Sequence, residues 1–260
     1  MNTTIPLLKK EMLEQWRTNK LIIAFVAFVI TGLQGPVISK ILPDIVKNAG
    51  GSMSGMQIII PKQTSLDAIL SFFNSMATMP ALVMILLAMG SIAGERERGT
   101  LVFMLTKPVS RTSVILTKYF TYLAVVVSAT LVSALVSGYY TILLFDSAFQ
   151  FGNYLMLNLT MIIFEAFLLA IIILASSLFK SGIAAGGISL LAVLVFTTVI
   201  QFLPSYQKYS PQAVFDPTFG RELMTGVAPL SDLFLPNLVG IALTGLVLGM
   251  ACFASERREI

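Results

Sequence analysis

The chain has 260 residues, of which 56% are hydrophobic and 12% are charged. A soluble domain carries about 25% charged residues, so this composition excludes an ordinary soluble protein and indicates a polytopic membrane protein. The net charge of +4 does not indicate a nucleic-acid partner, because basic residues of membrane proteins collect in cytoplasmic loops.

The first 20 residues predict an amphipathic helix that lies in the membrane interface. Apolar residues recur at helical spacing, with charged residues between them, and Trp16 suits the headgroup level. A secretory signal peptide is the alternative. Its basic region would be unusually long and no clear small-residue cleavage site follows, so we predict an uncleaved first span. The apolar positions are Leu7, Leu8, Met12, Leu13 and Trp16.

Long apolar runs predict an all-α membrane domain with six transmembrane helices. The second and third runs exceed the roughly 20 residues that a bilayer requires. Between the runs lie a polar loop at 41–65, a charged segment at 94–111 and an outer loop at 204–232. The predicted spans are residues 21–39, 66–93, 114–145, 154–179, 183–203 and 233–253.

Basic residues are unevenly distributed between the two sides that six spans would define. One side holds twelve of them and the other five. The positive-inside rule therefore places both termini and residues 94–111 in the cytoplasm. The larger set is Lys9, Lys10, Arg17, Lys20, Arg96, Arg98, Lys107, Arg111, Lys118, Lys180, Arg257 and Arg258, and the smaller is Lys40, Lys47, Lys62, Lys208 and Arg221.

Catalytic motifs are missing from the sequence. No G-x-x-x-x-G-K-[ST] nucleotide-binding motif is present, so the chain is not expected to hydrolyse ATP alone. Histidine is also absent, which removes the commonest metal ligand and general base. We therefore expect no enzyme activity, no metal site and no cofactor.

The charged segment 94–111 is the densest charge cluster of the chain. Thr100 can cap a short helix, and Pro108 would end it. Leu101, Met104 and Leu105 would share one face of that helix. Such a helix suits a groove on another protein, whereas the alternative is a solvated loop whose charges only fix topology. Spacing alone leaves both interpretations open.

The order of residues in this segment resembles a known signature. Glu-Arg-Glu-Arg-Gly-Thr-Leu at 95–101, then Lys-Pro-Val-Ser-Arg at 107–111 and Lys118, is similar to the pattern of ABC-2 type transporter permeases. The resemblance implies a junction with an ATP-binding subunit, a coupling helix at 101–107 and a turn into the third span. The junction residues would be Glu95, Glu97, Arg98, Gly99 and Thr100; the helix would include Leu101, Met104, Leu105 and Lys107; the turn would use Pro108, Ser110 and Arg111.

The same resemblance implies the wider assembly. Residues 5–19 would be the elbow helix of the family, and two identical or related permeases would pair with two ATP-binding subunits that hold the ATP. Export of a lipid-like, peptide or drug-like substrate across the cell membrane is the implied activity. The alternative is a stand-alone secondary transporter, or another polytopic membrane protein without an ATPase partner.

Glu165 is the one ionisable residue near the centre of a predicted span. A charge at this depth costs roughly 2.5–3.5 kcal/mol on translocon scales, so we expect its side chain to face protein or water. It could contact a substrate or a proton, or it could be a protonated or hydrogen-bonded carboxyl group within helix packing.

Three G-x-x-x-G pairs allow close approach between helices. Such pairs also arise by chance in a chain with 18 glycines. We therefore interpret them as packing sites at most. They are Gly90 with Gly94, Gly182 with Gly186, and Gly245 with Gly249.

Overall fold

The computed structural model describes residues 4–50, 63–99, 110–145 and 149–256. Across these residues all regular structure is helical, which confirms the predicted all-α class. Six of the described helices are long and apolar enough to cross a membrane. A helix satisfies its own backbone hydrogen bonds, which lipid cannot do. The chain is therefore a multi-pass membrane protein.

The helices follow the predicted order, with additional short elements between the spans. The helices up to the third span are α1 (Thr4–Arg17), α2 (Lys20–Gly50), α3 (Ser65–Ala88), α4 (Ala93–Glu97) and α5 (Arg111–Phe145). The following ones are α6 (Phe151–Leu178), α7 (Gly182–Gln201), α8 (Pro204–Gln207), α9 (Pro217–Thr225) and α10 (Phe234–Glu256), with 3₁₀ turns at Pro211–Phe215 and Leu230–Leu233.

The helix that holds the first span extends beyond the predicted span. Helix α2 continues past Pro36 and Pro43 to Gly50, so the start of the predicted polar loop 41–65 is helical. Hydropathy falls at Lys40, which suggested the end of the span. The Nζ atom of Lys40 instead donates to the carbonyl of Leu144 at 2.8 Å, so this lysine fixes α2 against the end of α5.

The predicted outer loop 204–232 is also largely helical. The Asp216 side chain accepts from the N–H groups of Thr218 and Phe219 and so caps the start of α9. Gly226, with a φ of +78°, caps its end. This left-handed φ is readily adopted by glycine. Four neighbouring residues before α9 are buried, so the segment reaches into the helix bundle. They are Pro211, Gln212, Ala213 and Val214.

The core lies around α6, which packs against α5, α7 and α10. On its far side α5 packs against α2, and α2 packs closely against α3. A Cβ atom on Gly35 would lie 2.7 Å from the backbone nitrogen of Phe72, and one on Gly32 would lie 2.5 Å from Ser133 Oγ. These two glycines, which belong to none of the three predicted pairs, allow the first span to approach its neighbours.

Each end of the helix bundle has its own set of polar contacts. At one end Lys118 of α5 meets α1, and Arg111 Nη1 donates to the carbonyl of Ser255 in α10 at 3.0 Å. At the other end Arg221 pairs with Asp67, and Asn153 Nδ2 donates to the carbonyl of Leu223 at 2.6 Å. The charged segment after the second span thus shares a side with the first and last helices.

Candidate functional site

A buried lysine joins three separate elements at this end of the bundle. Lys118 is only 1% exposed. Its Nζ lies 2.9 Å from Glu95 Oε1 on α4 and 3.0 Å from Glu11 Oε2 on α1. A buried charge is tolerated only with good partners, and removing one partner is strongly destabilising. The lysine of α5 therefore fixes α1 and α4 in place.

Lys10 completes what we call the ion cluster, namely Lys10, Glu11, Glu95 and Lys118. Lys10 Nζ lies 3.0 Å from Glu11 Oε1 and 3.3 Å from Glu95 Oε1. Partial burial lowers the pKa of Lys10, but Glu11 and Glu95 raise it, and the net pKa is above the ordinary value. The contribution of Lys10 to stability is therefore fully present at neutral pH, and it is lost only as pH rises through this raised pKa.

Carboxylates gather here in a way that could suggest a metal centre. Oxygen atoms of Glu11, Glu14 and Glu95 lie within 4.8 Å of one another. The ammonium groups of Lys10 and Lys118, however, lie within 3.3 Å of oxygens of Glu11 and Glu95. The two lysines supply the positive charge that these two carboxylates need. The arrangement is that of an ion-pair network.

The opposite side of α4 contacts the turn between α6 and α7. Arg96 Nη1 donates to the carbonyls of Ser177 at 3.3 Å and Phe179 at 3.4 Å. Glu97 Oε2 accepts from the backbone N–H of Gly182 at 3.2 Å. A cation thus sits at the carboxyl end of α6 and an anion at the amino end of α7, as the helix dipoles favour.

The alternating charges of residues 95–98 are therefore divided between two groups of helices. Glu95 faces α1 and α5, while Arg96 and Glu97 face α6 and α7. Arg98 folds back, with Nε donating to the carbonyl of Gly94 at 3.0 Å. Gly99 follows with a φ of +71°, in the region that favours glycine. Residues 95–97 are therefore bonded to neighbouring helices through their side chains, while Glu97, Arg98 and Gly99 are also exposed to solvent.

The part of the predicted site that would meet a partner lies outside the described residues. This applies to Thr100, Leu101, Met104, Leu105, Lys107 and Pro108, so the capping residue and the coupling helix remain predictions.

The start of α5 is held by hydrogen bonds of its own first turn and of the last helix. Ser110 Oγ accepts from the N–H of Ser113 at 3.2 Å, and Arg111 is the first residue of α5. Thr112 Oγ1 donates to Glu256 Oε1 at 2.8 Å. The start of the third span is therefore connected to the end of the sixth.

The sequence does not reveal the partners of Lys118. Glu11 lies among the charged residues of the predicted interfacial helix, yet it is 2% exposed. The available signal was Lys118 itself, because a lysine within an apolar helix needs a nearby carboxylate. Which of the chain's carboxylates would meet it depends on how the helices pack.

Glu165 lies in α6 and is 1% exposed. Thr130 Oγ1 of α5 donates to Glu165 Oε2 at 2.6 Å. Among the described residues, no lysine or arginine forms an ion pair with it. Glu165 Oε1 is buried without a hydrogen-bond partner among the described residues. Both interpretations of this carboxyl group stay predictions.

Six candidate spans, with a short helix between the second and third that is bonded to its neighbours, define an all-α multi-pass membrane protein. The chain belongs to the ABC-2 family of transporter proteins, whose sequence profile matches residues 5–236. It is also similar to the uncharacterized transmembrane protein YxlG of Bacillus subtilis (strain 168). The two are 26% identical over 216 residues, which is 82% of this chain and 83% of that protein. The family resemblance predicted from residues 95–118 is confirmed.

Proposed function

We propose that this ABC transporter permease couples ATP hydrolysis by a separate ATP-binding subunit to substrate movement across the cell membrane, as an exporter. Both termini and residues 94–111 would lie in the cytoplasm, as the distribution of basic residues favours. The ATP would be bound entirely by the partner. A second copy of the chain or a related permease would complete the membrane unit.

The observation that carries this proposal is the two-sided attachment of α4. Residues 101–107 follow it directly and would form the helix that contacts the ATP-binding subunit. Because Glu95 is paired with Lys118 and Glu97 is bonded to Gly182, a displacement of that helix would act on several spans together. α4 thus serves as the mechanical connection between partner and bundle.

Coupling further requires two arrangements of the membrane unit, each favoured by a different nucleotide state of the partner. ATP binding would bring the ATP-binding subunits together and displace residues 101–107. The ion cluster would pass this displacement to α1 and α5. The contacts of Arg96 and Glu97 would pass it to the turn between α6 and α7.

Membrane lipid is the remaining proposed partner. α1 exposes Ile5, Leu13 and Trp16 while Glu11 faces inward. An amphipathic helix that precedes a membrane span suits the lipid interface. The elbow helix would then be held by lipid on one side and by the ion cluster on the other.

The test is co-purification with an ATP-binding subunit that carries a Walker A motif and is encoded by a neighbouring gene. The permease should retain this subunit, and replacing Leu101, Leu105 and Glu97 together by alanine should abolish retention. Replacing Val227, which is 76% exposed at the opposite end of the molecule, is the control and should leave retention unchanged.

Two outcomes would contradict the proposal. Undiminished co-purification of the triple variant would remove the coupling role from residues 97–105. Failure of the parent chain to retain any such ATPase would favour a stand-alone transporter instead. Monodisperse elution of each variant in detergent confirms that lost binding does not reflect misfolding.

A further inference from the structure

The second span does not continue directly into α4. α3 ends at Ala88 and α4 begins at Ala93, with turns and bends between them. In a continuous α-helix, the N–H groups of Ile92 and Ala93 would donate to the carbonyls four residues earlier. At this break they have a different acceptor, which belongs to the fourth span.

That acceptor is the side chain of Ser176, which is 0% exposed. Its Oγ accepts from the N–H of Ile92 at 3.0 Å and from that of Ala93 at 3.1 Å, and it donates to the carbonyl of Met89 at 2.8 Å. A hydroxyl group has one donor and two acceptor sites. These three bonds match that capacity, and Ser91 Oγ is a longer fourth contact, donating to Ser176 Oγ at 3.4 Å. Together they satisfy backbone groups that the break removes from the helix.

The direction in which the chain leaves the membrane depends on this break. Breaks in membrane helices are stable where a neighbouring side chain satisfies the freed backbone groups. If the intrahelical bonds re-formed, α3 and α4 would be one helix with a different axis and phase after residue 89. Glu95 and Glu97 could not then both keep their contacts with Lys118 and Gly182.

We propose that Ser176 is a positioning residue for coupling: its hydroxyl stabilises the broken arrangement of α3 and α4 and thereby sets where residues 101–107 are presented. The inference rests on the proposed function and adds to it a residue of the fourth span that no charge motif marks. Gly90 lies within the break, and a Cβ atom there would meet nothing within 4 Å. An alanine at position 90 would therefore fit the broken arrangement without a clash.

The experiment measures the distance between spin labels in the purified permease without its partner. Labels at Arg98→Cys and Lys180→Cys, in a Cys252→Ser background, report how α4 lies against the turn between α6 and α7. Ser176→Ala is expected to broaden the distribution and shift it to longer distances. Ser177→Ala is the matched control, because its buried hydroxyl donates only within its own helix, to the carbonyl of Leu174 at 2.7 Å.

A distribution for Ser176→Ala that equals the parent's would overturn the proposal, as would an equal change in Ser177→Ala. If Ser176→Ala does not accumulate in the membrane, Gly90→Ala decides the question. Alanine favours the continuous helix by propensity alone, so the same broadening is expected. An unchanged distance distribution would then reject the proposal that α3 and α4 can be either broken or continuous.

Measuring the ATPase rate of the complex tests this inference separately from the proposed function. In the complex, Ser176→Ala is expected to keep the ATP-binding subunit bound while the permease's effect on its ATPase rate falls severalfold. Normal stimulation despite altered label distances would remove the coupling role from Ser176. Absence of an ATPase from the parent complex would instead refute the proposed function, and the label distances would still report on the break.

Discussion

Replacing Lys118 is expected to lower stability strongly, because its ammonium group is buried between two carboxylates that belong to different helices. Replacing it by methionine keeps most of the volume but removes the buried ammonium group from Glu11 and Glu95. Removing one member of a buried pair costs about 3–5 kcal/mol. We expect Lys118→Met to lower the free energy of unfolding by this amount, measured by denaturant titration in detergent micelles.

Lys10→Met is the control for that prediction. The Lys10 side chain is 43% exposed, and exposed ion pairs contribute roughly 0–1 kcal/mol. Its loss should therefore be small although it contacts the same carboxylates. Equal destabilisation by the two substitutions would show that burial does not determine the strength of the ion cluster.

A second single-residue prediction concerns the stability and transport activity of Glu165→Gln. Glu165→Gln keeps an oxygen that can accept from Thr130 Oγ1, and no described lysine or arginine pairs with the carboxyl group. A single hydrogen bond contributes about 0.5–1.5 kcal/mol net, so the free energy of unfolding of this variant should change by no more than about 1.5 kcal/mol. A transport assay of the same variant then isolates function: unchanged transport would exclude the substrate or proton role.

Between helices, some glycines lie at close contacts and others face open space. A Cβ atom on Gly35 would meet backbone atoms of α3 at 2.7–2.9 Å, whereas one on Gly245 would meet nothing within 4 Å. Overpacking typically costs about 1–3 kcal/mol. We expect Gly35→Ala to destabilise the protein by at least this much, measured by thermal unfolding in detergent.

Gly245→Ala is the matched substitution. Alanine within a helix is favoured over glycine by about 0.5–1 kcal/mol, so this variant should be neutral or slightly stabilised. The reverse order of the two variants would mean that α2 and α3 are not packed as described. The pair also tests how far a G-x-x-x-G pattern indicates contact, because Gly245 belongs to such a pattern and Gly35 to none of the three identified.

For the whole molecule, the prediction concerns orientation. Val227→Cys, in a Cys252→Ser background, should react with a membrane-impermeant maleimide in intact cells. Lys180→Cys should react only after permeabilisation, because twelve basic residues on its side favour the cytoplasm. The two sites serve as controls for each other. The opposite labelling pattern would invert the topology and exclude a cytoplasmic partner for residues 94–111.

The amino-acid sequence predicted the all-α membrane class and six candidate spans, and the structure confirms both. These properties follow from local composition, because about 20 apolar residues form a span wherever they occur. Helix ends are harder to predict than apolar runs, as α2 shows, since a helix can continue beyond the apolar run when its polar groups find partners. The order of charges after the second span also indicated the family.

The contacts of those charges depend on how the helices pack. Glu95, Arg96 and Glu97 are adjacent in sequence, yet they face different helices because successive helical residues point about 100° apart. Lys118 required a carboxylate, but its pairing with Glu11 arises from α1 packing against α5. Likewise, Ser176 resembles any other serine in an apolar run until α6 places its hydroxyl at the break after α3. Such contacts join residues more than 80 positions apart, a separation that local sequence patterns do not specify.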